Sequence, residues 1–516
     1  MNEQPVGTCC LVLHTHLPWL AHHGAWPVGE EWLHQAWSAS YLPVMDVLHR
    51  LANEGRRDLV SVGVTPIVAA QLDDAYCLRE FHTWLGFWQT RAAALATRRE
   101  EHLRHLAAYE FGLATRALET FETTWRHGGS SVLRKLADAG VIELLGGPAT
   151  HPFLPLTDDR VARAQLDVGM EDGARRFGGR LPGMWAPECG YRPGLEDLYF
   201  EAGVRRFLVD GPTLIAGSHH RPHGHDNIAT GDAWTVGASD VIVFGRDLDV
   251  TYRIWSPRRG YPGGRDYRDF HTFDHASGIR PARVTSTHTP PADKAPYDPA
   301  RGHAAIAADA ADFVRVVRSR LLDLAAARGR PGVVVAAYDT ELFGHWWHEG
   351  PLFLEHVLRS LPAAGVHVAT LGTAIEEGAV AGRIDLPTGS WGAGKDWHVW
   401  SGEQVRDITD AQAAVRERLL RVVDKTDGNG PRRPDLDQLA REAFLTTSSD
   451  WAFMVTHDSA ASYARERAQE HARRFHALAD RIEAGREATR LTSELRADDG
   501  PFGHLDARIL RRTCPD

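Results

Sequence analysis

An α/β fold, a β/α barrel followed by an all-helical region, is predicted by three features of this 516-residue sequence. Short apolar runs recur along residues 1–400 and end in polar or glycine clusters; helical patterns separate several of them; strand signals stop at about Ser401. Runs that are apolar on both faces belong to parallel strands covered on both sides. In β/α barrels the C-terminal strand ends collect at one face, where the chemistry is placed.

Seven runs carry the pattern. Thr8–Leu13 leads into His14-Thr15-His16, Asp58–Val64 into Thr65-Pro66, and Val141–Leu145 into Gly146-Gly147 and then Thr150-His151. Gly183–Ala186 leads to Pro187-Glu188-Cys189-Gly190-Tyr191, Arg206–Val209 to Asp210-Gly211, and Val241–Phe244 to Gly245-Arg246-Asp247. Val333–Ala337 runs into Tyr338-Asp339-Thr340-Glu341. Helical periodicity covers Glu31–Asn53, Asp158–Phe177, Gly194–Ala202 and Ala304–Ala327. Leu72–His127 is too long for one β/α unit and reads as a helical insertion. Beyond Ser401 three helices are expected, Asp407–Val423, Asp435–Phe444 and Ala460–Ala484, with a loop at Asp427–Pro434 and a loosely held tail from Ala497. The expected division is residues 1–400 for the barrel and 401–516 for a C-terminal helical domain.

Composition narrows the function. Hydrophobic content of 43% with 24% charged residues is ordinary for a globular protein. No stretch approaches the roughly 18 apolar residues of a membrane span. The N-terminus has no basic start and runs into a strand, so a cytoplasmic location is expected. Five cysteines without a CxxC pair speak against a disulfide scaffold or a structural zinc site. A net charge of −10 without a lysine-rich run speaks against nucleic acid. The 16 Trp and 28 His are high counts. Many of the tryptophans sit beside Gly, Pro and polar residues, which suits stacking on sugar rings in a carbohydrate cleft.

Two carboxylates stand out. Glu188 lies between Pro187 and a turn at Gly190, so it projects into the barrel mouth, and Trp185, Cys189 and Tyr191 make the setting of a solvated loop residue a poor match. Asp339 tips an apolar strand and could cap the next helix; the ring-rich stretch Glu341–His348, with His345 and Trp346 as candidate substrate contacts, favours catalysis. Paired carboxylates at strand ends suit glycosidic bond cleavage. His14 and His16 alternate with Thr15 and point the same way on a strand. They could bind a metal together with His151, as in metal-dependent amidohydrolases, or bind sugar hydroxyls; a lysine ligand at the fourth strand end is missing, which favours the sugar.

With these residues placed, the sequence resembles glycoside hydrolase family 57, and within it the branching enzymes, over nearly the whole chain. The matching stretches are HTHLP at 14–18, ELLGGPATHPFLP at 143–155, WAPECGY at 185–191, AYDTELFGHWWHEG at 337–350 and GSWGAGKDWHVW at 389–400. The resemblance implies a (β/α)7 barrel with a helical insertion and a C-terminal all-helical domain, acting on an α-glucan with Glu188 as nucleophile and Asp339 as general acid/base. It also implies substrate contacts at Arg246, Trp255, Gly263, Trp391, Trp400 and Asp450, and no metal or organic cofactor. Branching, an α-amylase-like hydrolysis and 4-α-glucanotransfer share such a site. Two departures concern the acceptor side: Gly211–Ser239 is short and contains no Tyr, where branching enzymes of the family tend to carry a tyrosine on a mobile loop, and Ser459 stands where a glutamine is expected.

Overall fold

The computed structural model describes residues 5–25, 28–218, 228–256, 260–426 and 430–511. Its centre is a ring of parallel strands. β1 (Thr8–Thr15) pairs on one side with β2 (Val60–Val64), which pairs with β3 (Ile142–Leu145). β3 reaches β4 (Gly183–Trp185) through the parallel bridge Gly146 to Met184, and β4 pairs with β5 (Arg206–Val209). A further strand, β6 (Ala233–Val236), precedes β7 (Ile242–Gly245), which pairs with β5. The Asp247 N–H donates to the Val335 carbonyl and joins this arc to β8 (Val333–Asp339), which pairs with the other side of β1. Seven parallel strands thus close on themselves, the (β/α)7 arrangement.

Alternation along the strands assigns each side chain to the lumen or the helix-facing side. Cys10, Val12, Leu145, Trp185, Leu208, Phe244, Val335 and Ala337 form one buried cluster, the barrel interior. Their neighbours Cys9, Leu11 and Leu13 belong instead to the core under the helices. Period-two alternation therefore sends His14 and Asp339 inward at the open end, as the continuations of Cys10-Val12 and Val333-Val335-Ala337.

Three strands carry no apolar-run signal in the sequence. β6 runs antiparallel to β7, β9 (His367–Val368) lies beside β1, and β10 (Val380–Ile384) pairs with β6. They are short or polar-interrupted, so a search for apolar runs passes over them. The insertion is two helices, Ala75–Ala94 and Glu101–Thr120, in mutual contact; Leu72 belongs to the preceding helix Pro66–Asp73, whose Pro66 opens it. The helix expected from Ala304 begins at Pro299, because the Asp298 carboxylate caps the Ala300 N–H at 3.0 Å.

Beyond Ser401 there are five α-helices among the described residues: Arg406–Asp424, Pro434–Thr446, Asp450–Thr456, Ala461–Glu483 and Thr489–Asp498. The expectation of a loose tail from Ala497 is corrected. Phe502, Leu505 and Leu510 are buried, and the buried Arg441 guanidinium donates to the carbonyls of Pro501 (2.7 Å) and Phe502 (3.1 Å). A tail with few apolar residues is held by an arginine from another helix, which spacing within the tail could not show. The histidine-rich stretch His219–His225 and residues 427–429 of the expected Asp427–Pro434 loop lie outside the described residues.

Candidate active site

Glu188 is positioned by a strained turn. After Pro187 its backbone takes φ 59° and ψ 19°, and Cys189 follows at φ 49°, a left-handed conformation uncommon for residues with a side chain. The turn is closed by the Cys189 N–H donating to Ala186 and the Gly190 N–H to Pro187. Gly190 has to be glycine: a Cβ there would lie 2.7 Å from the Phe153 ring. The turn aims the Glu188 carboxylate at two donors. Ser449 Oγ–H donates to Oε1 at 2.7 Å and Trp391 Nε1–H to Oε2 at 2.7 Å.

Ser449 ends a relay. His151 Nδ1 lies 3.0 Å from Ser449 Oγ, and His151 Nε2 lies 3.1 Å from His14 Nε2. Burial holds both histidines well below their ordinary pKa, so each carries one ring proton. Counting protons backward from the ionised Glu188 leaves one assignment. The Ser449 hydroxyl proton goes to Glu188, His151 Nδ1–H to Ser449, and His14 Nε2–H to His151. His14 also stacks on Trp185 at 4.8 Å.

Asp339 is the register partner of His14 across β1 and β8, so it stands at the same mouth. It is part-buried and accepts no hydrogen bond from any described residue. Burial pushes its carboxyl up to about 7, with Arg246 and His16 pulling the other way. Glu188 is also raised to about 7; burial is the main cause and Asp450 adds to it, while the Ser449 and Trp391 hydrogen bonds and His16 oppose the rise. Two donors grip the Glu188 carboxylate and none grips Asp339. The hydrogen bonds therefore favour an ionised Glu188 beside a protonated Asp339.

His16 lies between the acids. Its Nε2 is 2.9 Å from Asp450 and its Nδ1 3.0 Å from Thr65 Oγ1, and its backbone N–H donates to Glu341. Burial disfavours the imidazolium, but Asp450, Glu188 and Glu341 outweigh it and His16 titrates above its usual value. Glu341 is buried, accepts from Tyr41 O–H at 2.5 Å, and is raised to about 8, first by burial and then by Asp339. Tyr41 ends a π-helical turn, Trp37–Tyr41, whose Ser40 hydroxyl donates to Thr340.

The structure brings Glu188, Asp339, His14, His16, His151, Trp391 and Asp450 together. Several other expected contacts fall elsewhere. Trp400 is a correction: it is 2% exposed and stacked on Phe153 at 4.5 Å, so no ring face is left for a sugar. Arg246 is buried and held by Asp210 at 2.7–2.9 Å through Nε and Nη2, which leaves its Nη1 without a hydrogen bond among the described residues. Its guanidinium lies 5.2 Å from the Trp391 ring, and its charge also acts on Asp339. Trp255 is 43% exposed and packs on Trp346 at 5.6 Å, an open aromatic pair. His345 is buried against Phe270. Gly263 and Ser459 are exposed, and no described contact joins either to the carboxylates; Ser459 lies past the far end of the helix that Asp450 begins. Ser449, Tyr41 and Glu341 were not among the expected site residues. The first two lie off the strand tips, and only the adjacency of Ser449 to Asp450 offered a signal.

His16, His151 and Asp450 present ligand atoms within 4.8 Å of one another. In this structure His16 Nε2–H donates to Asp450 and His151 Nε2 accepts from His14. The buried group His23, His471 and Asp499 is likewise occupied, by Arg467 on His471 and Arg474 on Asp499.

A closed seven-stranded barrel with two carboxylates of raised pKa at its mouth defines a glycoside-processing scaffold. Residues 10–387 match the family model described as glycosyl hydrolase family 57, and residues 411–510 match 1,4-alpha-glucan branching enzyme, C-terminal. The chain belongs to glycoside hydrolase family 57. It is 51% identical to a probable 1,4-alpha-glucan branching enzyme of Mycobacterium tuberculosis over 99% of both chains. It is 33% identical to a 1,4-alpha-glucan branching enzyme of Thermococcus kodakarensis, over 96% of this chain and 77% of that one. Among solved structures it is similar to the GH57-type branching enzyme of Pyrococcus horikoshii (TM-score 0.91, 30% identity, 99% and 98% coverage). It is also similar to the α-amylase AmyC of Thermotoga maritima (TM-score 0.87, 25% identity, 99% and 100% coverage).

Proposed function

We propose that this chain is a 1,4-α-glucan branching enzyme working by double displacement. Glu188 attacks the anomeric carbon while Asp339 passes its proton to the departing glycosidic oxygen. Asp339 then takes a proton from the 6-hydroxyl of an acceptor glucan, which displaces Glu188 and leaves a 1,6 branch. On this reading residues 1–400 are the catalytic barrel and residues 401–516 the helical domain, which lends Ser449 and Asp450 to the barrel mouth. The carrying observation is the asymmetry of the two acids: both are raised to about 7, yet only Glu188 is held by two donors. That suits one ionised nucleophile and one protonated acid near neutral pH.

Hydrolysis by the same site is the second reading, favoured by the likeness to the α-amylase and by the absence of Tyr between Asp210 and Val241. Incubation with amylose followed by debranching separates them. Short chains released only after debranching, with little new reducing sugar, are expected; dominant reducing sugar before debranching rejects branching.

The relay carries its own test. In Ser449→Ala the Glu188 carboxylate loses one donor, so its pKa rises, and the nucleophile protonates at a higher pH. The acidic limb of the kcat/KM profile moves up by about one pH unit, the worth of one hydrogen bond to a charged group. The basic limb, set by Asp339, stays in place. An unmoved acidic limb rejects the relay.

A further inference from the structure

The segment that follows Asp339 has two faces. On one, Glu341 meets Tyr41 and His16. On the other, His345, Trp346 and His348 line a separate cavity of about 440 Å³, walled by the two insertion helices Ala75–Ala94 and Glu101–Thr120 and by residues 268–280. Neither Glu188 nor Asp339 lines it. The volume lies in the range of small-molecule sites, and neither the barrel chemistry nor the relay uses it.

Its lining selects a ligand class. Six carboxylates and five guanidinium groups border it, and burial keeps His303, His345 and His348 neutral. Such balance suits an uncharged ligand better than a polyanion or a cation. Polar capacity is left over. Glu349 is 3% exposed; its Oε1 accepts from Tyr297 O–H and the Arg268 N–H, while its Oε2 is buried with no partner. Arg91 makes no hydrogen bond with any described residue and lies 5.8 Å from the Trp84 ring. Trp84 and Trp88 add aromatic surface, their rings 5.7 Å apart, with Trp84 fixed by its N–H bond to Glu31 at 2.7 Å. Aromatic faces beside carboxylate and guanidinium groups with spare hydrogen-bonding capacity fit a pyranose, apolar above and below and ringed by hydroxyls. Trp346 borders the cavity and packs on the exposed Trp255, which extends the aromatic surface outward.

We propose that this cavity is an accessory site for a maltooligosaccharide stretch of the glucan, filled independently of the carboxylate centre. The proposal rests on the glucan reading given above. By anchoring a chain at a distance, such a site raises the local concentration of glucan at the barrel mouth.

The test is calorimetric titration of Glu188→Gln, which does not turn over, with maltoheptaose. Two sites per chain are expected. Adding Trp88→Ala and Arg91→Ala abolishes one of them. In the otherwise wild-type chain, this pair raises the amylose concentration for half-maximal rate about five- to tenfold, the worth of one lost stacking contact, and leaves the maximal rate within about twofold. Leu113→Trp, which fills the cavity without removing a wall, gives the same result if the double variant does not fold. A single site, two sites untouched by these variants, or an unchanged half-saturation overturns the accessory site and leaves the catalytic reading standing. No binding of maltoheptaose at all overturns both.

Discussion

Glu188→Gln is expected to lose at least about a thousandfold in turnover on amylose, since removing a nucleophile costs that much or more where measured in other enzymes. The amide fits the site. Its oxygen takes the Trp391 N–H, and its NH2 donates to Ser449, whose hydroxyl proton turns away, so the fold keeps its contacts. The loss is then chemical. Glu188→Ala with an activated α-maltosyl fluoride makes the role specific. Azide entering the emptied position attacks from the nucleophile's face and gives the β-glycosyl azide, inverted from the substrate. Glu188→Gln retaining more than about a tenth of wild-type turnover removes the assignment.

Much of this arrangement is legible in the chain. The seven apolar runs coincide with the ring strands because burial on both faces favours apolar residues; the polar residues these strands admit are paired, Ser61 and Arg206 with Glu143, while Glu188 and Asp339 stand at strand ends. Elements held by distant partners were not legible. β9 is two residues long and exists by pairing with β1. The segment after Ala497 is ordered by Arg441, and the Ser449 bond to Glu188 spans 261 positions. Trp400 shows the complementary error. The family resemblance implies a substrate contact at this residue. The stacking of Phe153 on its ring decides its role, and that partner does not lie next to it in sequence.

Asp339→Asn is expected to separate catalysis from stability in opposite directions. On amylose, whose departing sugar needs a proton, the rate falls about a hundred- to ten-thousandfold, the usual range for a lost general acid. With α-maltosyl fluoride the first step needs no proton, so glycosyl-enzyme forms and accumulates; azide then captures it from the opposite face and gives the α-glycosyl azide, with retained configuration. A β-azide from this variant, or loss of the first step with the fluoride, rejects the acid/base role. The stability effect follows from the same carboxyl. Its pKa rises from 3.8 to about 7 on folding, so between those values the native state binds the proton that the unfolded state has released. Stability therefore falls as pH climbs through this window and levels off above it. The rise corresponds to about 4 kcal/mol, and water reaching the part-buried group reduces it to about 2 kcal/mol. Asparagine cannot ionise and carries no such cost. The variant should unfold at higher temperature than wild type at pH 8, with the difference vanishing near pH 4, whereas an equal or larger gain at pH 4 means that Asp339 is not held in its protonated form by burial.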